Sequence, residues 1–296
     1  MPLPLTNQES GMTDTTPETR PLTDATRLGR VALRVSSLDR VVPFYRDVVG
    51  LSVERYGSRA VLSAGGAPLV VLDEDPDAPL RTDAQAGLFH LAIRVPDRPA
   101  LGDALTRIRD GATLTGASDH LVSEALYLRD PEGNGVEIYR DRPREEWPLK
   151  DDGRVAMDTL PLDLEALRSD ARGDDAAPGG TDLGHVHLEV TDVDRAVEFY
   201  TDALGMNLRD DGYPGAAFVA AGEYHHHVGL NRWNGRSTPA ANARGIEWFE
   251  VVVPDEEALT AVRESLRQRE HTVEETDGAL AVADPDGVGV RVRAEE

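Results

Sequence analysis

His185 is the second residue of a strand–helix phrase that occurs twice in the chain, and at the same place in the other copy stands Arg30. The copies are Gly29-Arg-Val-Ala-Leu-Arg-Val-Ser-Ser-Leu-Asp-Arg-Val-Val-Pro-Phe-Tyr-Arg-Asp-Val-Val-Gly50 and Gly184-His-Val-His-Leu-Glu-Val-Thr-Asp-Val-Asp-Arg-Ala-Val-Glu-Phe-Tyr-Thr-Asp-Ala-Leu-Gly205. An imidazole can ligate a metal or move a proton near neutral pH; a guanidinium stays protonated and does neither. One copy is equipped for chemistry and the other is not, as duplication followed by division of labour would leave them. The run His225 to His227 is a second concentration of imidazoles. In an extended strand His225 and His227 would share one face and His226 would take the other.

The elements that must carry these residues follow from periodicity. In Arg30 to Val35 the apolar set Val31, Leu33 and Val35 opposes Arg30, Ala32 and Arg34. In His185 to Val190, Val186, Leu188 and Val190 oppose His185, His187 and Glu189, so each strand has one core face and one polar face. Ser37 and Asp192 are expected to cap the helices that follow, and Gly50 and Gly205 to end them. A second unit is also duplicated: Gly87-Leu-Phe-His-Leu-Ala-Ile-Arg-Val-Pro-Asp97 parallels Gly245-Ile-Glu-Trp-Phe-Glu-Val-Val-Val-Pro-Asp255. Helices are predicted next, over Ala100 to Arg109 and Glu256 to Arg269, and each unit closes on an Asp-Pro-x-Gly turn at Asp130 or Asp284.

The fold class expected is α+β, with four βαβββ modules forming two cup-shaped mixed sheets flanked by helices. Residues 1–27 read as a disordered acidic tail, 28–141 as a first domain of two modules, and 182–296 as a second. Residues 142–181 read as a linker with one short helix near Asp163 to Asp170, and its Gly173-to-Gly180 stretch is expected to be mobile.

Composition narrows the setting. The 296 residues hold 54 Asp plus Glu against 31 Lys plus Arg, a formal net charge of −23, and Lys150 is the only lysine. Such a surface repels itself unless salt screens it, which favours a halophilic origin over a mere bias toward Arg codons. Nucleic acid and anionic membrane are excluded as expected partners, because phosphate contacts need a basic face. No apolar run approaches the roughly 20 residues that span a bilayer, there is no apolar signal core, and there are no cysteines. A cytoplasmic location is expected.

The phrases Asp119-His-Leu-Val-Ser-Glu-Ala-Leu-Tyr-Leu-Arg-Asp-Pro-Glu-Gly-Asn-Gly-Val-Glu-Ile-Tyr-Arg-Asp-Arg-Pro143 and Ala221-Gly-Glu-Tyr-His-His-His-Val-Gly-Leu-Asn231 carry a resemblance. With the four modules, they resemble the vicinal oxygen chelate superfamily of glyoxalases, bleomycin-resistance proteins and type I extradiol dioxygenases. Within it the chain is most similar to the bacillar catechol-2,3-dioxygenase family. The resemblance implies metal ligands at the start of a module's first strand and on its last strand. Across the modules the first-strand position holds Arg30, His90, His185 and Trp248; the last-strand position is Glu137 in module two and Arg291 in module four. The implied metal set is thus His90, Glu137 and His185, the two-His, one-carboxylate combination suited to Fe(II), with Mn(II) as the alternative. Two pairings stay open. Modules two and three join across the halves, which completes this set and is preferred, or modules pair sequentially and His185 works with the His225–His227 cluster.

The resemblance further implies an acid/base at His227, with fourth-ligand duty as the other reading. His120 and Tyr127 are implied as catalytic donors near the substrate hydroxyl, although their spacing departs from the biphenyl-type pattern by two residues. His187 and His225 are expected on the substrate side. The function implied is extradiol cleavage of a catechol-type diol, whose expected partners are a small aromatic diol and O2, with a homo-oligomer allowed. The competing readings are a glyoxalase-like isomerase, which would need a Glu or Gln ligand near Val228, and a metal-free drug-sequestering protein, which would need an aromatic cup from a chain only 5% aromatic.

Overall fold

The computed structural model describes residues 19–151, 153–276 and 278–295. Each module opens with a strand, passes through a helix and returns by up to three strands. Module one comprises β1 (Arg27–Val35), α1 (Leu38–Phe44), β2 (Ser52–Tyr56), β3 (Arg59–Ala64) and β4 (Ala67–Glu74). Module two comprises β5 (Gly87–Arg94), α2 (Arg98–Gly111), β6 (Gly116–Asp119), β7 (Ser123–Arg129) and β8 (Gly135–Asp141). The connection adds β9 (Leu160–Pro161) and α3 (Leu164–Ser169). Module three has β10 (Asp182–Glu189), α4 (Val193–Glu198), β11 (Asn207–Asp210), β12 (Ala216–Ala220) and β13 (Val228–Asn231). Module four has β14 (Gly245–Val253), α5 (Glu256–Gln268), β15 (Glu274–Thr276), β16 (Ala279–Ala283) and β17 (Gly289–Ala294).

The two sheets exchange modules between the halves of the chain. One runs β15-β16-β17-β14-β1-β4-β3-β2 and unites modules four and one; the other runs β11-β12-β13-β10-β5-β8-β7-β6-β9 and unites three and two. Each is joined by an antiparallel seam between two opening strands, β1 with β14 and β5 with β10. Within a module the opening strand lies parallel to the closing one, so the sheets are mixed. The apolar strand faces predicted from alternation are buried. Val31 and Leu33 of one sheet share a core with Val186 and Leu188 of the other and with Leu101, Leu105 and Ile108 of α2. The repeated Phe-Tyr ties the sheets together: Tyr45 donates to Asp130 at 3.3 Å and Tyr200 to Asp284 at 3.1 Å, each aspartate heading a turn in the opposite sheet.

Helix starts follow the expected logic with one change. Asp97, Asp192 and Asp255 accept from backbone N–H groups three residues on. Ser37 stands at the cap position of α1 without a side-chain bond, and the Leu38 N–H is satisfied instead by Glu74, 2.8 Å away on β4.

Two connecting segments are more structured than their composition suggests. The expected tail ends earlier than Arg27, since Leu22 is buried and bonds through its backbone to Gly205 and Gly222. Asp24 accepts from Arg144 at 3.1 Å; residues 1–18 of that tail lie outside the described residues. The linker likewise docks: Trp147 is buried, β9 pairs with β6, Ala177 N–H donates to Gly50 at 2.8 Å and Arg107 grips the Asp174 carbonyl at 2.9 Å. Polar, glycine-rich composition gave no hint of this, because the partners belong to distant modules. Among the described residues, no helix is long and apolar enough to cross a membrane.

Candidate metal centre

Register brings three side chains from three strands to one spot. The β5–β10 seam pairs His185 with Ala92 and His187 with His90, while parallel β8 sets Glu137 beside Ala92. Ala92 therefore lies between Glu137 and His185 with only a methyl group, which leaves room for both to converge. Two bulges aim the neighbours. On β10 the extra residue is Gly184, where an added Cβ would overlap the Tyr139 hydroxyl, and the strand re-enters register at His185. On β5 the extra residue is Phe89, so Phe89 and His90 both line the same cavity despite being adjacent in sequence.

The three donor atoms form a near-equilateral triangle. His90 Nε2 is 2.9 Å from Glu137 Oε2, His185 Nε2 is 3.1 Å from the same oxygen, and the two Nε2 atoms are 3.2 Å apart. All three side chains are buried. Two donors at right angles about 2.1 Å from an ion are about 3.0 Å apart, whereas tetrahedral donors are about 3.4 Å apart. The triangle matches a facial set that leaves neighbouring positions open. Its electrostatics suit a cation too. Burial opposes ionisation of Glu137, but the adjoining His185 and His90 outweigh it and hold the carboxyl well below its usual range. Burial holds the His185 imidazole down at about 4 despite Glu137, so near neutral pH the ring is uncharged and suited to ligate a cation. Among the described residues, neither His185 Nδ1 nor His187 Nε2 has a hydrogen-bond partner.

The triangle floors a cavity of about 320 Å3 whose walls include Phe89, Tyr127, Tyr213, Phe218 and Trp233. The chain has only 3 Trp, 7 Tyr and 5 Phe; five of these fifteen gather here. Met157 and Thr159 of the linker close one side, a contribution that nothing in the linker's composition signals. His187 also lines the cavity, as expected from its strand face. His120 and Tyr127 meet there, with His120 Nε2 2.7 Å from the Tyr127 hydroxyl and Nδ1 2.7 Å from the Asp158 carbonyl oxygen. That carbonyl can only accept, so Nδ1 carries the proton and, in the neutral ring, Nε2 accepts from Tyr127. Burial first, and then the charge of Glu137, push the Tyr127 hydroxyl well above its ordinary value.

The histidine run is arranged otherwise than strand alternation implies. Tyr224 to His227 precede β13 as an irregular turn, so period-two facing does not apply. His226 is the member that lines the cavity, its ring 4.2 Å from that of His185. His227 instead turns toward Tyr224, 4.8 Å between ring centroids, and its Nδ1 accepts from the Ala221 N–H at 3.2 Å. His225 points away from the cavity to Asp141, 2.9 Å from Nε2 to Oδ1. Gly222, a turn-forming residue shortly before the run, was the available sign that it is not a strand.

The other sheet answers the ligand positions with a filled site. Arg30 donates to Glu250 at 2.7 Å, Arg293 lies 3.3 Å from the same carboxylate, and the Arg291 guanidinium stacks 3.8 Å over Trp248. Positive charge and an indole occupy the place where the sheet of modules two and three converges His90, Glu137 and His185.

Comparisons with known proteins agree with this architecture. The chain is 42% identical over 270 residues to the catechol-2,3-dioxygenase of Bacillus subtilis (strain 168), covering 88% of this chain and 94% of that protein. It is 30% identical over 156 residues to biphenyl-2,3-diol 1,2-dioxygenase 3 of Rhodococcus globerulus, which is 47% of this chain and 77% of the relative. The crystal structure of glyoxalase I from Zea mays shares the fold at 20% identity, with a TM-score of 0.56 and coverage of 90% and 92% of the two chains. A family model matches residues 27–138 and 182–292, the spans that hold the four modules. By its duplicated modules and by this match, the chain belongs to the glyoxalase/bleomycin resistance protein/dioxygenase superfamily.

Proposed function

We propose that this protein is an extradiol dioxygenase that cleaves the ring of a catechol-type diol with O2, using Fe(II), or Mn(II) in its place, held by His90, Glu137 and His185. The observation that carries the reading is the buried triangle of His90 Nε2, His185 Nε2 and Glu137 Oε2 at the floor of an aromatic-walled cavity. The 42% identity to a catechol-2,3-dioxygenase over most of both chains supports the same reaction class. When bound, the metal supplies a site where both diol oxygens and O2 can be held side by side.

The chain's own residues do the rest. A cavity of about 150 Å3 accommodates one benzene ring, so the 320 Å3 here leaves room for a diol ring and a substituent. Phe89, Phe218 and Trp233 hold the ring by edge and face contacts. Tyr127 donates a hydrogen bond to His120 Nε2, which leaves its oxygen free to accept from a diol hydroxyl; as the diol proton passes to the Tyr127 oxygen, the proton Tyr127 held passes on to His120. His226, the cavity-lining member of the run, is the acid/base in this reading, in place of His227.

The test is anaerobic loading of the purified protein with Fe(II) or Mn(II), followed by catechol and its ring-substituted forms with O2. Yellow ring-opened product formed with matching O2 uptake is expected. Isomerisation of a thiol adduct without O2 uptake would establish the glyoxalase-like alternative instead.

A further inference from the structure

His226 reaches the cavity, but its ring nitrogens are governed from outside it. His226 Nδ1 lies 2.8 Å from His225 Nδ1, and His225 Nε2 lies 2.9 Å from Asp141 Oδ1. Two imidazole nitrogens at that distance share one proton, so one must donate and the other accept. Asp141 decides which. Its second oxygen, Oδ2, accepts from the Tyr224 hydroxyl and from Arg94, each at 2.9 Å, and Tyr139 supports Tyr224 at 2.8 Å. Arg94 is further fixed by Asp182 at 2.6 Å. The carboxylate therefore stays charged and immobile, with Oδ1 left to accept from His225.

We infer that Asp141 and His225 are positioning residues that set the tautomer of His226, so that its Nε2 presents a lone pair to the cavity. With Nε2–H committed to Asp141, neutral His225 can only accept at Nδ1. His226 must then donate from Nδ1, and the nitrogen left for the cavity is an unprotonated Nε2. This ring is thereby prepared as a base toward a hydroxyl of the substrate, as a carboxylate orients the imidazole of a hydrolase triad. A charged His225 would reverse the Nδ1–Nδ1 bond and leave His226 with a proton on Nε2. Trp147, 5.2 Å from the His225 ring, and Tyr224, 4.0 Å away, clamp that ring so that it cannot turn from Asp141. The role in turnover rests on the dioxygenase reading; the tautomer itself does not.

Two measurements decide it. Nitrogen-15 NMR of the full-length, metal-free protein at neutral pH should show His226 as the Nδ1–H tautomer, and Asp141→Asn should shift it toward Nε2–H. In the metal-loaded enzyme Asp141→Asn should lower kcat on the order of 10²–10⁴-fold with KM and metal content little changed. His225→Gln should do the same, and Asp141→Glu should recover part of the loss. A wild-type His226 protonated on Nε2, or an Asp141→Asn enzyme with undiminished kcat, would overturn the inference. The tautomer is read without substrate, so failure of the dioxygenase reading and failure of this inference register separately.

Discussion

Trp248 and His90 hold the same register position in the two sheets. Each sits on a seam strand, opposite Ala32 or His187 on the antiparallel side and beside Gly289 or Gly135 on the parallel side. Both glycines are required by close approach: a Cβ on Gly289 would come within 2.8 Å of the Trp248 Cβ, and one on Gly135 would overlap the Phe89 carbonyl and lie 3.0 Å from the His90 Cβ. The two sheets are thus one backbone design filled in two ways, with Arg30, Glu250 and Arg291 at the positions of His185, Ala92 and Glu137. The filled sheet holds ion pairs and an indole where the other converges His90, Glu137 and His185.

The first expectation follows from that contrast. Changing His90, Glu137 or His185 to Ala should weaken metal binding beyond the roughly 10–100-fold cost of losing an outer-shell partner. His187→Ala should leave binding within that range, although His187 faces His90 directly across the seam. Anaerobic metal analysis and titration of the four variants check this; full metal content in the first three would remove the site.

His226 and His227 should separate chemistry from support. His226→Ala should keep its metal while kcat falls on the order of 10²–10⁴-fold. His227→Ala strands the buried Ala221 N–H, so it should cost about 1–3 kcal/mol of stability with a much smaller effect on kcat. Steady-state kinetics and denaturant unfolding of both variants distinguish the roles. A reversed outcome would return the acid/base to His227.

Asp284 should make stability pH-dependent. Burial raises its folded pKa to about 6 from 3.8, against the N–H groups of Val288 and Asp286 and the Tyr200 hydroxyl, which pull it down. The folded state therefore favours the protonated form. That contribution is complete below about pH 4 and is lost as pH rises through 6, on the order of 3 kcal/mol in all. Asp284→Asn cannot ionise, so its stability relative to the wild type should rise by about that amount between pH 4 and pH 7. Unfolding curves at the two pH values measure the difference; a constant difference would contradict the shift.

The acidic excess should make the fold respond to salt. With a net charge of −23, repulsion among carboxylates reaches about 30 Å at 0.01 M salt and about 3 Å at 1 M. We propose a halophilic protein whose melting temperature rises with potassium chloride and levels off near molar salt for the screening part. Near the pI of about 4.7 the effect should shrink. A melting temperature that is flat or falls with salt at neutral pH would rule this out.

Much of the molecule was legible in the residues. Internal duplication alone laid out the four modules, because strand alternation and helix punctuation are local properties that a short window carries. At the positions that the family resemblance implied for ligands, it also separated His90, Glu137 and His185 from Arg30, Trp248 and Arg291, since equivalent backbone positions can be compared within one chain. The preference for joining modules two and three across the halves rested on ligand chemistry, and the β5–β10 seam is the pairing found.

What lay beyond the sequence was everything that depends on leaving the regular period or on contact between distant segments. Alternation assigned His225 and His227 to one face, but the turn at Gly222 takes the run out of extended backbone, and His226 is the ring that enters the cavity. Phe89 joins His90 through a bulge, which no period-two reading contains. Trp147, Met157 and the Asp141–His225 bond join a linker, a strand end and a turn that are far apart along the chain. The sequence by itself determined the modules and the donor types, because those are written locally. Only the tertiary structure decided which donors converge and which imidazole lines the cavity, because register and chain crossing set distances that no local pattern encodes.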